Sequence, residues 1–237
     1  MKRLFKLMPV VLALAACTQA PPTSAQIEAI GMTARQQDQA AAEFRLRTLA
    51  REGIPVAERE LGLVLRPRLA ERAEALRLFE RAARAGDVEA AFELGEMHRV
   101  AVAGFPATPG EAWPWYRLAA EHGHARAALV LGLLAKNGDG VPRDAAEAAR
   151  WFARAADGGD GHAMFLLSQA YGEGRGVAVD AARARALLEE AAEHEYPPAL
   201  QELALAVEHG DAHGDALRAS HLLKEANEHR HNNWNRF

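Results

Sequence analysis

The chain has 237 residues, 49% of them apolar and only 6% aromatic, with 28 basic residues against 32 acidic ones and a formal charge of −4. That length is enough to bury a sizeable core, and a mildly acidic balance without a Lys/Arg cluster argues against nucleic acid as a partner. Cys17 is the single cysteine, which excludes an internal disulfide and a thiolate metal site.

Lys2, Arg3 and Lys6 precede an apolar stretch, Leu7 to Ala16, that is too short to span a bilayer. Small residues follow, and the three-part pattern predicts an export signal over residues 1–16. Leu14-Ala15-Ala16-Cys17 resembles the lipobox of bacterial lipoproteins. The resemblance implies cleavage before Cys17, a lipid on that cysteine, and a place in the cell envelope. Thr18, where inner-membrane lipoproteins carry Asp, resembles the outer-membrane-sorted kind, facing the periplasm. Loss of the signal removes three cations and shifts the charge from −4 to −7. Residues 17–34 are expected to be the lipidated cysteine and a flexible tether, because TQAPPTSA at 18–25 is small, polar and Pro-containing.

From Gln26 onward Ala, Leu, Glu and Arg dominate and β-branched residues are few, so the rest of the chain predicts helices. An N-terminal capping helix is expected at 35–52, followed by a repeat over 53–230. Ala128-Leu129-Val130-Leu131-Gly132 is answered 36 residues later by Met164-Phe165-Leu166-Leu167-Ser168, Gly138-Asp139-Gly140-Val141 by Gly174-Arg175-Gly176-Val177, and Trp151-Phe152 by Leu187-Leu188. A fixed period of this size marks supersecondary units that hide their apolar faces by stacking. First helices are predicted near 56–66, 88–100, 125–136, 161–172 and 197–208. Second helices are predicted near 70–85, 109–122, 144–158, 180–194 and 215–229. Asp144 with Glu147 and Thr108 with Glu111 have capping-box spacing, and Asp180 stands where an N-cap is due. The small residues Gly95, Gly132, Ser168 and Ala204 predict close approach of paired helices.

The order A-x-x-L-G, G-x-G-V-x-x-D, A-x-x-W-F-x-x-A-A-x-x-G, met best by Ala128 to Gly159, resembles the Sel-one-like repeat, a relative of the tetratricopeptide repeat. The resemblance implies an all-α fold, a right-handed α/α solenoid of about five helix-turn-helix repeats with the N-terminal capping helix. It also implies a scaffold for protein–protein contact, with no catalytic residues to carry over. Secreted members with bridged cysteine pairs are linked to β-lactam binding or hydrolysis, and this chain has none of those cysteines.

Aligned first helices keep Ala91, Ala128 and Met164, then Leu94, Leu131 and Leu167, apolar; these are expected core. Three positions on one face vary instead: Glu89, Glu93 and Glu96; Arg126, Val130 and Leu133; His162, Leu166 and Gln169; Pro198, Glu202 and Leu205. In the resembled superhelix these stripes line the concave groove, acidic at one end and apolar further on, and they are the expected partner-binding residues. Closure of the superhelix would instead bury them as core. Trp115 aligns with Trp151 and is expected core. Trp113 aligns with Ala149 and Arg185, and is either a partner anchor or packing for the turn at 101–109.

No phosphate loop, nucleophile elbow or H-E-x-x-H occurs, and the His209/His213 pair lies among glycines, so neither a cofactor, a metal nor catalysis is expected. The tail at 231–237 either caps the last repeat or is a recognition peptide. These readings converge on a monomeric periplasmic lipoprotein that binds a protein, as an envelope assembly or secretion adaptor or as a toxin-neutralising immunity protein. The other class in view is a cell-wall or β-lactam hydrolase or binder.

Overall fold

The computed structural model describes residues 20–36, 40–102, 105–208 and Lys224. Its α-helices are α1 Ser24–Gln36, α2 Ala40–Arg51, α3 Pro55–Leu65, α4 Arg72–Arg84, α5 Val88–Arg99, α6 Pro109–Glu121, α7 Ala125–Asn137, α8 Ala145–Asp157, α9 Gly161–Glu173, α10 Ala181–Glu193 and α11 Pro197–Glu208, with a short 3-10 turn before α4. From α3 onward each helix packs mainly on its neighbours in sequence, α3 on α4, α5 on α6, α7 on α8 and α9 on α10, and each pair then stacks on the next. The result is an α/α solenoid.

Small residues set how closely the helices approach. Ala82–Ala83, Ala119–Ala120 and Ala155–Ala156 are buried on second helices. On first helices, Gly62, Gly95 and Gly132 each lie under a ring of the paired helix, Phe79, Tyr116 and Phe152 in turn. A Cβ at Gly132 would stand 2.4 Å from Phe152 Cε1, which the ring could not tolerate without moving. Ser168 fits in the next copy because the ring position there holds Leu188. Trp115 is half-buried and Tyr116 is the enclosed residue, so the expected core position moves by one along α6.

The turn inside the last three described repeats is closed by one recurring bond: the backbone N–H groups of Thr108, Asp144 and Asp180 donate to the carbonyls of His98, Ala135 and Tyr171 at 2.7, 2.9 and 3.0 Å. Asp144 accepts the N–H groups of Ala146 and Glu147, both at 2.9 Å, and Asp180 that of Arg183 at 3.0 Å, as N-caps do. The reciprocal half of the expected capping box is absent at Glu147, which accepts the Trp151 indole N–H at 3.3 Å, since the Asp144 N–H is already engaged. Thr108 caps nothing, because its hydroxyl turns to His98 Nδ1 at 3.0 Å. The second turn glycine is held by stacking: a Cβ on Gly176 would be 2.1 Å from the Ala145 carbonyl of the preceding repeat.

The expected tether over 17–34 requires correction. From Ser24 the chain is helical, started by a reciprocal box in which Thr23 N–H donates to Gln26 Oε1 at 2.9 Å and Gln26 N–H to Thr23 Oγ1 at 3.4 Å. Ile27, Gly31 and Ala34, at i, i+4 and i+7, bury one face against α3. The expected single capping helix at 35–52 is therefore a pair, α1 and α2. The signal at 1–16, Cys17, His209 and His213, the second helix at 215–229 and the tail at 231–237 fall outside the described residues, apart from Lys224, which is helical.

Candidate partner-binding face

The acidic end of the predicted stripe is a set of bonded carboxylates. Glu89 Oε2 lies 3.2 Å from His124 Nε2, and the His124 Nδ1 accepts the Ala127 N–H at 3.1 Å as the N-cap of α7. Nδ1 as acceptor leaves the ring proton on Nε2, so that nitrogen donates to Glu89. This hydrogen bond holds the Glu89 carboxyl below its ordinary value, against the opposing effect of burial. Glu93 pairs with Arg66 across to the end of α3. Burial dominates there and pushes the Glu93 carboxyl up, Arg66 opposing and Glu89 and Glu96 adding to it. Glu96 accepts the Tyr116 hydroxyl at 2.6 Å and Arg99 Nη2 at 2.7 Å. Burial raises Glu96, yet the bonds from Arg99 and Tyr116 outweigh it and leave the carboxyl low.

Arg126 is exposed and lies over the Phe92 ring at 5.1 Å, with His124 stacked on the same ring at 4.4 Å. Val130 and Leu133 are half-buried against the core. His162 is half-buried and stacked on Tyr196 at 5.0 Å. Burial holds its imidazole below the ordinary 6.5, with Asp160 opposing. Leu166 is 9% exposed and belongs to the core, which corrects its expected place on an open stripe. It packs in one cluster with Ala148, Ala149 and Phe152 of α8. Gln169 is half-buried. Trp113 is half-buried and edge-on to Trp151 at 6.5 Å, so it bridges adjacent repeats.

Leu166 and Gln169 meet in a feature that the stripe did not predict, a cavity of about 300 Å³ where α8 faces α9. Ala145, Ala148, Ala149 and Phe152 of α8 and Leu166 and Ala170 of α9 form its apolar wall, and Lys136, Arg143, Arg175 and Gln169 its polar rim. The signal for it stood in the repeat register at Ala149, where neighbouring copies carry larger side chains. Of the predicted residues, Arg126 lies on Phe92 and Glu89 bonds His124, an unpredicted residue stacked on the same ring, while Trp113, Leu133 and Leu166 join a second apolar cluster.

The Sel1 repeat family model matches residues 57–87, 88–124, 125–160 and 161–196, more than half the chain. No curated protein sequence matches. A solved Sel1 repeat protein from Oxalobacter formigenes is 27% identical, with a TM-score of 0.74 over 87% of this chain and 88% of its own. A protective antigen present in uropathogenic Escherichia coli strains, displaying an SLR fold, is 26% identical with a TM-score of 0.75; the match covers 87% of this chain and 46% of that one, so this chain spans about half its length. The immunity protein Pa5087 from Pseudomonas aeruginosa aligns over 88% of this chain and 82% of its own at 16% identity and a TM-score of 0.48, too far off to carry a functional reading. Four successive family matches, on four helix pairs that share one packing rule of small residue under ring or leucine, establish that the chain belongs to the Sel1 repeat family.

Proposed function

We propose that the protein is a lipoprotein scaffold of the cell envelope, anchored through Cys17 and facing the periplasm, that binds a protein partner through the face formed by its first helices. The observation that supports this reading is the contrast within the repeats. Positions that pack recur from copy to copy, whereas Glu89, Arg126 and His162 occupy one equivalent position with three different chemistries and stay at least partly accessible. A solenoid needs only the packing positions to stand, so the varied ones are free to suit a partner. In this reading the chain is a monomer, takes no cofactor and catalyses nothing. Its partner is either an envelope assembly or secretion component or a toxin that it neutralises, and rescue of toxin-expressing cells separates the two.

The test is crosslinking and pull-down of the full-length protein from envelope fractions, beside a Cys17→Ala variant fed labelled palmitate. Incorporation of label into the wild type alone, and capture of one defined protein lost on Glu89→Ala/Arg126→Ala, is the expected result. A protein that fractionates with the cytoplasm, or that hydrolyses a chromogenic β-lactam, overturns it.

A further inference from the structure

The cavity between α8 and α9 arises from one position in the register. The site that holds Leu76 in α4, Trp113 in α6 and Arg185 in α10 holds Ala149 in α8. One repeat earlier the Trp113 indole packs on Trp151 and into the apolar cluster. At Ala149 the side chain ends at Cβ, and about 300 Å³ stays open. That is room for one large side chain, with Phe152 and Leu166 as its wall.

The rim adds charge. Lys136 and Arg143 have no carboxylate or hydrogen-bond partner among the described residues, and no acidic residue lines the cavity. Arg35, Arg47, Arg59, Arg66, Arg68 and Arg81, by comparison, are each paired with an acid. Arg175, the third cation, pairs with Glu173.

We propose that this cavity receives an aromatic side chain of the partner protein, flanked in the partner's sequence by Asp or Glu residues that pair with Lys136 and Arg143. The inference rests on the protein-binding reading above and names the chemistry of the segment bound. A buried aromatic anchor supplies most of the binding energy of such a contact, and rim charges set its register and rate of association.

Random peptides displayed on phage, selected on the full-length protein, test this. The enriched peptides should share a Trp, Phe or Tyr beside acidic residues, and the consensus peptide should bind at least tenfold more weakly to Ala149→Trp, which fills the cavity as Trp113 fills the repeat before it. Because that variant could misfold, Lys136→Glu/Arg143→Glu, changed only at the rim, should lose the same tenfold with an unchanged melting temperature. Enriched peptides without the aromatic or without the acids, or a consensus that either variant binds as tightly as the wild type does, overturn the proposal. An envelope partner crosslinked equally well by wild type and Ala149→Trp overturns the cavity's role and leaves the scaffold reading standing. If no envelope partner is captured while the peptide still binds at the cavity, the scaffold reading falls and the cavity's chemistry remains.

Discussion

Glu96 and Tyr116 show how a polar group survives on a repeat face. Their equivalents one repeat on are Leu133 and Phe152, so the carboxylate and the hydroxyl it accepts are gained or lost together along the chain. The three glutamates of α5 consequently titrate apart. Glu96 lies below its ordinary value, so the stability it contributes is present above pH 4.5 and is lost as pH falls through its lower folded value. Glu93 lies above 4.5, so its contribution is full below 4.5 and is lost as pH rises through the raised folded value. In a carbon-13 carboxyl titration, Glu93 should take up its proton first on acidification, with Glu96 following at lower pH. Glu96→Gln should flatten the fall in stability below pH 4.5. The reverse order of protonation would contradict the bonding described for α5.

At the scale of the element, the pairing of α7 with α8 depends on the contact between Gly132 and Phe152. In an isolated helix Gly132→Ala would add about 1 kcal/mol of propensity. Here the new methyl drives into the ring, and overpacking costs about 1–3 kcal/mol. Urea denaturation should therefore show Gly132→Ala to be destabilised or at best neutral. The double variant Gly132→Ala/Phe152→Leu should recover stability, since Ser168 with Leu188 is the same solution one repeat later. A single variant more stable than wild type would disprove the close-packing account. The C-terminal side of α10 departs from its siblings in another way: Glu195, at φ 56°, occupies the left-handed position that Gly86, Gly123 and Gly159 hold after the other second helices.

Across the whole molecule, the N-terminal end is joined by charge as well as by apolar packing. Arg59 of α3 reaches Glu28 of α1 at 2.6 Å, Glu60 at 3.2 Å and the α5 N-cap Asp87 at 3.0 Å, and so links three successive first helices. The Asp87 side chain is buried, and without the guanidinium its charge keeps only the Ala90 N–H, while Glu60 retains Arg35. Arg59→Ala should cost about 3 kcal/mol by that argument. Because a solenoid's stability is a sum of neighbour contacts, amide exchange should accelerate in α1 to α5 and stay slow in α7 to α10. Uniform acceleration along the chain would refute the nearest-neighbour picture.

Periodicity alone placed the helices from α3 to α11 to within about two residues, because a 36-residue spacing of leucine, glycine and aromatic positions admits no other stacking unit. It also separated the core residues Leu94, Leu131 and Leu167 from the varied face, since burial in a repeat recurs with the period. The helix α1 is not legible in the sequence because Thr23 and Gln26 sit in or beside a Pro-containing stretch whose composition reads as tether, and its apolar face is only three residues wide. What the sequence could not decide was how far each repeat leans over the last, since that lean follows from side-chain volumes meeting between helices distant in sequence. Tertiary structure alone buried Leu166, bonded the α5 carboxylates to Arg66, Arg99 and His124, and left the space at Ala149 open beside Lys136 and Arg143.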